Sequence, residues 1–205
     1  MPQVGLLGGS FDPVHLAHIA LARAACQALQ LAHVELLPVG TPWQRGRLGA
    51  SPDHRLAMLK LACGDDPRLR INPIELQRPG ATYTIDTLMA LPPTARYTWI
   101  LGSDQLANFC TWHRWRDILQ YVRLAVAQRP GTSPEPPEEL AQALSPGGLA
   151  HIPFPPLDVS ASAIRETLAQ GLAPESQLDP LVLGYIRTHQ LYQRPAPAQD
   201  SSYTP

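Results

Sequence analysis

The residues best suited to chemistry lie near the start of the chain, in Gly8-Gly9-Ser10-Phe11-Asp12-Pro13-Val14-His15-Leu16-Ala17-His18. Two histidines three apart at a helix start lie on neighbouring turns of one face. Imidazoles so placed can donate hydrogen bonds to phosphate oxygens and stabilise charge as it develops on them. The paired glycines let the backbone approach a ligand that a Cβ would obstruct. A helix starting near His15 would aim its free N–H groups at an anion. Alone, an HxxH pair is equally two surface histidines or two ligands of a metal. Other common phosphate devices are missing: no GxxxxGK[ST] occurs and no GxGxxG follows a strand.

A second anion site can be read in Val159-Ser160-Ala161-Ser162-Ala163-Ile164-Arg165. Ser160 suits an N-cap. Its hydroxyl, that of Ser162, the free backbone donors and Arg165 one turn in would all face the same anion. Taken by itself, the segment reads first as a capped surface helix.

Elements that could position these groups follow from apolar runs and their flanks. Residues 4–7 form a strand candidate, 16–29 a helix and 34–39 a second strand. Helices at 52–62, 85–90 and 112–119 then alternate with strands at 68–72, 97–101 and 123–127. Such repetition predicts an α/β fold, a Rossmann-like and mostly parallel sheet with helices on both faces. Ligands of such sheets bind beyond the carboxyl ends of the strands, where Gly8-Gly9 and Gly102-Ser103-Asp104 both fall. A core of residues 1–155, a helical subdomain of 156–193 and a disordered tail of 194–205 are the expected divisions.

Composition narrows the class. A formal net charge of -1 argues against nucleic acid as a partner. Neither a signal peptide nor a membrane-spanning run is expected, and three scattered cysteines without a CxxC suit reduced thiols in a cytoplasmic protein. Lys60 is the only lysine, so arginine is expected wherever a cation is needed.

The first segment resembles the GG-x-FDP-x-H-x-GH signature of the nucleotidyltransferase superfamily, with Ala17 where the family usually has glycine. The second resembles that superfamily's ISSTxIR motif, with Ser160 and Arg165 matching and Ser162 in place of threonine. Thr82-Tyr83-Thr84-Ile85-Asp86-Thr87-Leu88 is similar to the SYTIDTL segment of nicotinate-nucleotide adenylyltransferases. Leu101-Gly102-Ser103-Asp104 with Phe109, Trp112 and Trp115, and Tyr185-Ile186 with Leu191-Tyr192, resemble further segments of that family.

This resemblance implies transfer of AMP from ATP to nicotinate mononucleotide, with Mg2+ arriving on ATP and no dedicated metal site. It implies catalytic roles for His15, His18 and Arg165, and an ATP site of Gly8, Gly9, Ser10, Phe11, His15, His18, Ser160, Ser162 and Arg165. The mononucleotide would meet Arg45, Thr82, Tyr83, Thr84, Gly102, Asp104 and Trp112. Arg45, or else Arg47, stands for a family lysine. For Arg55 a solvated helix face and a functional role weigh evenly, and for Trp115 packing is expected. Another adenylyltransferase of the superfamily, acting on phosphopantetheine, and a catalytically silent nucleotide sensor are the alternatives. Oligomeric state is left open by the sequence.

Overall fold

The computed structural model describes residues 1–42, 48–128, 131, 133–155, 157 and 159–193. In chain order the elements are β1 (Gln3–Gly9), α1 (Leu16–Ala28), β2 (His33–Pro38), β3 (Thr41–Pro42), α2 (Pro52–Cys63) and β4 (Leu69–Ile71). Next come β5 (Ala81–Thr82), α3 (Thr84–Ala90), β6 (Arg96–Leu101), α4 (Ser103–Ala107) and a 3-10 turn (Phe109–Thr111). The remainder is α5 (Trp115–Ile118), β7 (Val122–Gln128), α6 (Glu138–Ala143), β8 (Leu149–Pro153), α7 (Ala161–Ala169) and α8 (Pro180–Thr188).

Six strands form one parallel sheet in the order β4-β2-β1-β6-β7-β8. The central runs of the strands are mostly apolar because both faces are covered. Side chains alternate between two cores, as a two-residue period requires. Leu7, Val34, Leu36, Ile100, Ala125 and Ile152 face one cluster, where Ile19 and Ala22 of α1, Met58 and Leu59 of α2, Ile164 of α7 and Val182 of α8 meet them. Val4, Leu6, Leu37, Trp99, Leu101, Leu124 and Val126 face the other, with Ile85, Leu88, Leu106, Phe109, Trp115 and Ile118. Helices α7 and α8 thus share a core with α1 and α2.

Several elements differ from the sequence reading. Strand β8 falls in a stretch to which the sequence reading assigned no strand, a five-residue run closed by Pro153 and carrying the exposed His151. The two-residue β3 and β5 pair with each other in a separate small sheet, too short for any periodicity to reveal. The helix expected over 112–119 is only α5, because Trp112 has extended backbone and Arg114 turns left-handed. Among the described residues no helix is long and apolar enough to cross a membrane. The tail 194–205, and Arg45 and Arg47, lie outside the described residues.

Candidate active site

The sheet's order reverses between β1 and β6, and a crevice opens there. The two strands pair from Gln3 with Arg96 to Leu6 with Trp99, and no further. Beyond that point β1 keeps only β2, with Gly8 beside Leu37 and Gly9 beside Pro38. The carboxyl ends of β1 and β6 therefore diverge at the topological switch point, where such sheets bind ligands. Gly8, Gly9 and Gly102 are all there. A cavity of about 750 Å³ lies at the opposite end, around Gln3, Arg96, Val122 and Gly148. It is remote from both phosphate-type motifs and has no part in the site.

The glycines serve different purposes. A Cβ on Gly8 would come within 2.9 Å of the Trp99 ring, and one on Gly9 within 3.1 Å of the Phe11 ring. Gly8 is thus demanded by the protein's own Trp99, while at Gly9 the Phe11 ring would have to give by a few tenths of an ångström. Gly102 has an ordinary extended conformation and nothing within 4 Å of a built Cβ. Gly8→Ala is expected to cost about 1–3 kcal/mol of stability through overpacking. Gly102→Ala should leave Tm unchanged while raising KM for the mononucleotide expected there. Thermal melts beside saturation curves separate the two, and a fall in Tm for Gly102→Ala would count against its role.

Phe11 holds φ at 47° and is fully buried, so its ring serves packing within the turn. That left-handed turn swings the chain from β1 into α1, whose N-cap is His15. The His15 and His18 rings stack with centroids 3.7 Å apart, and Phe11 meets His18 edge-on at 5.0 Å. His15's N–H donates to Nδ1 of His18 at 3.3 Å. Burial, reinforced by the neighbouring His15, holds His18 well below the usual imidazole range, and burial brings His15 down to about 4. Both rings are therefore neutral near pH 7. A neutral His18 whose Nδ1 accepts must carry its proton on Nε2, a donor available to a phosphate oxygen. Nδ1 of His15 is buried with no hydrogen-bond partner among the described residues.

The helix start is less open than the sequence implied. The N–H groups of His15 and His18 have partners, and that of Leu16 donates to the Gln177 carbonyl at 3.0 Å. Anion recognition at this turn therefore falls more on the imidazoles and less on the backbone.

The second motif comes to the first through one side chain. Ser160 caps α7 by accepting from the Ala163 N–H at 3.1 Å. Arg165 donates to the Asp12 carbonyl at 2.7 Å and to the Ser162 hydroxyl at 3.3 Å. Asp12 is only 2% exposed, and its carboxylate accepts from the N–H groups of Gly49 and Ala50 and from the Tyr192 hydroxyl. Arg55, 1% exposed, donates to the Ser10 carbonyl at 2.8 Å. Burial pulls its guanidinium below the ordinary value, and the Asp12 charge opposes that. The solvated-face reading of Arg55 is thus overturned.

On the other side of the crevice stand the groups expected to meet the mononucleotide. Thr82 is buried and its hydroxyl accepts from the Thr41 N–H at 3.3 Å, tying β5 to β3. Tyr83 is the N-cap of α3 and leans on His113 with ring centroids 4.5 Å apart, and Thr84 begins the helix. Asp104 is exposed in the first turn of α4. Trp112 is half-buried, edge-on to Trp99 and tilted over Phe109, while Trp115 is buried against Phe109. Indole surface is therefore available at Trp112 alone of the two.

Glu75 was not foreseen. It is 4% exposed and accepts from the Thr87 hydroxyl at 2.8 Å, bracing α3 from behind. Burial raises its carboxyl to about 7, against the opposing effects of Thr87 and Arg78. Glu75 and His15 give opposite pH dependences. Between pH 4.5 and 7 folded Glu75 holds a proton that the unfolded chain releases, so its stabilisation is lost as pH rises through 7. His15 refuses a proton that the unfolded chain takes up below 6.5, so its stabilisation is lost as pH falls from 6.5 towards 4. Glu75→Gln is expected to stabilise by about 1–3 kcal/mol at pH 8 and by less than about 1 kcal/mol at pH 5. His15→Asn should flatten the decline of Tm below pH 6.5. Melts across pH check both, and equal shifts at pH 5 and 8 for Glu75→Gln would contradict the assignment.

A parallel sheet with a paired-histidine turn at its switch point, joined by an arginine from a capped helix, has the form of a nucleotidyltransferase. Residues 6–167 match the cytidylyltransferase-like family model, which fixes that class. The chain is 54% identical to the "probable nicotinate-nucleotide adenylyltransferase" of Bordetella avium, over 96% of this chain and 100% of that protein. It is 55% identical to the one so named in Bordetella pertussis, over 93% of this chain and 98% of the relative. A solved Plasmodium falciparum nicotinic acid mononucleotide adenylyltransferase, complexed with NaAD, shares the fold at a TM-score of 0.77 and 18% identity, over 94% of this chain and 98% of the other. The chain belongs to the nicotinate-nucleotide adenylyltransferase family.

Proposed function

We propose that this enzyme transfers the adenylyl group of ATP to nicotinate mononucleotide, giving deamido-NAD and pyrophosphate. The transfer itself is supported above all by the bond from Arg165 to the Asp12 carbonyl, which brings a guanidinium to the turn that carries both histidines. The choice of acceptor is supported by the near-full-length relatives.

A 5′-phosphate oxygen of the mononucleotide attacks the α-phosphorus of ATP in line. A P–O bond forms there while the bond to the bridging oxygen breaks, and pyrophosphate leaves with that electron pair. The attacking phosphate is already an anion, so neither a protein nucleophile nor a general base is needed. Catalysis then rests on positioning and on donors aimed at developing charge. His18 offers Nε2–H to the α-phosphate, His15 stacks beside it, and Arg165 with Ser160 and Ser162 takes the triphosphate. The donor substrate is the Mg2+ complex of ATP. A cation carried in by the triphosphate needs no all-protein cage, since Mg2+ keeps much of its coordination in water and phosphate oxygens.

Across the crevice, Thr82, Tyr83 and Thr84 with the start of α3 take the mononucleotide, Asp104 its ribose and Trp112 its pyridine ring. Arg45, or else Arg47, serves the phosphates. The test is pyrophosphate release from Mg2+·ATP with nicotinate mononucleotide, nicotinamide mononucleotide or phosphopantetheine as acceptor. Rapid release with the nicotinate form is expected. Release with phosphopantetheine alone would overturn the acceptor, and ATP binding without release from any of them would favour a sensor.

A further inference from the structure

We infer that Tyr192, from the far end of the described chain, is a positioning residue of the ATP site: its hydroxyl holds the Asp12 turn against which Arg165 is set. The inference rests on the adenylyl-transfer reading above and assigns a role that the first two motifs do not contain.

The local backbone is arranged to deliver this side chain. After α8 ends, Gln190 and Tyr192 adopt φ of 50° and 63°, left-handed conformations that side chains rarely take. Each costs on the order of 1 kcal/mol or more and persists only where surroundings over-determine it. The Leu191 N–H returns to the Ile186 carbonyl, folding the chain back on the helix. Tyr192's ring then lies on Gly49 so closely that a Cβ there would come within 2.9 Å of it. Its hydroxyl reaches Oδ1 of Asp12 at 2.8 Å across 180 residues of sequence.

Asp12 is where three parts of the molecule meet. Its Oδ2 accepts from the Gly49 N–H at 2.7 Å and its Oδ1 from the Ala50 N–H at 2.9 Å. Its backbone carbonyl accepts from Arg165 at 2.7 Å. Tyr192 therefore grips from one side the residue that Arg165 grips from the other. Burial and the adjacent carboxylate both raise the phenol's pKa, so the hydroxyl keeps its proton and acts as the donor. Without it the Asp12 carboxylate would accept from two backbone N–H groups only, and the guanidinium on the Asp12 carbonyl would lose its register on the triphosphate. A misplacement of about 1 Å at such a site can cost on the order of 10²-fold in rate.

Tyr192→Phe removes the hydroxyl and keeps the ring on Gly49. Steady-state kinetics of Tyr192→Phe, Arg165→Ala and the double variant form the test, with circular dichroism and a thermal melt on each. Tyr192→Phe is expected to lower kcat/KM for ATP about 10-fold, with KM for the mononucleotide within about twofold. In the Arg165→Ala background the same change should alter kcat/KM less than about twofold, since its effect runs through that arginine. Equal losses in both backgrounds, or no loss in either, would overturn the proposal. Calorimetric binding of a non-hydrolysable ATP analogue gives a second readout that needs no acceptor. Tyr192→Phe should weaken it only while Arg165 is present, and unaltered binding would overturn the proposal. Wild-type chain that binds the analogue yet transfers nothing would instead remove the adenylyl-transfer reading.

Discussion

His18→Gln is expected to lower kcat by about 10²–10³-fold while KM for ATP stays within about threefold. Removing one preorganised donor from a charge-developing site costs about this much. Glutamine is chosen because His18 is the third helical residue after the His15 N-cap and accepts that residue's N–H. A glutamine at this position can make the same reciprocal cap bond. The variant therefore removes the imidazole while sparing the helix start, whose loss alone would cost on the order of 1 kcal/mol. His18 is neutral through the physiological range, so the loss should be nearly constant from pH 6 to 8. A fall confined to KM would place His18 in ground-state binding instead. A loss that vanished at high pH would mean that an imidazolium, not a neutral donor, does the work.

Much of the frame was legible because it depends on local signals. The apolar runs of β1, β2, β6 and β7 are long enough to read as buried strands, and glycines close β1 and β6 at the carboxyl side. Those closures coincide with the switch point, so Gly8-Gly9 and Gly102 could be set at the crevice before any pairing was known. The histidine turn was legible for the same reason, its chemistry being contained in consecutive residues. What escaped was set by tertiary contact. The glycines of β1 were read as room for a ligand, whereas Trp99 and Phe11 occupy that room from distant or folded-back positions. Glu75 has no local mark of its near-neutral titration, which arises only when α3 closes over it. Asp12 sat inside the quoted signature, yet its four partners come from residues 49, 50, 165 and 192.

Arg55 did leave a signal that was open to reading. Buried positions on α2 are Arg55, Met58, Leu59 and Cys63, at spacings that mark a single helix face. An arginine on the inward stripe of a helix is misplaced unless something inside needs it, because a buried charge without a partner is costly. The periodicity was faint because Lys60, Asp53 and His54 interrupt a short helix of low overall hydrophobicity.

Arg55→Met is accordingly expected to destabilise the fold by about 3 kcal/mol, the upper end for a buried hydrogen bond made by a charged donor. In a chain of this size that corresponds to a fall of roughly 10 °C in Tm. Methionine keeps much of the stem's packing, so the loss reports on the guanidinium. Two things are forfeited: the 2.8 Å bond to the Ser10 carbonyl and the positive charge facing Asp12. Their shares can be separated by adding Asp12→Asn. If the unpaired carboxylate dominates, the double variant should recover part of the loss, and strict additivity would assign the cost to the Ser10 bond. An unchanged Tm for Arg55→Met would be the more consequential outcome. Its Nε is buried without a partner among the described residues, and a charge the fold does not need would have to be held there for the substrate.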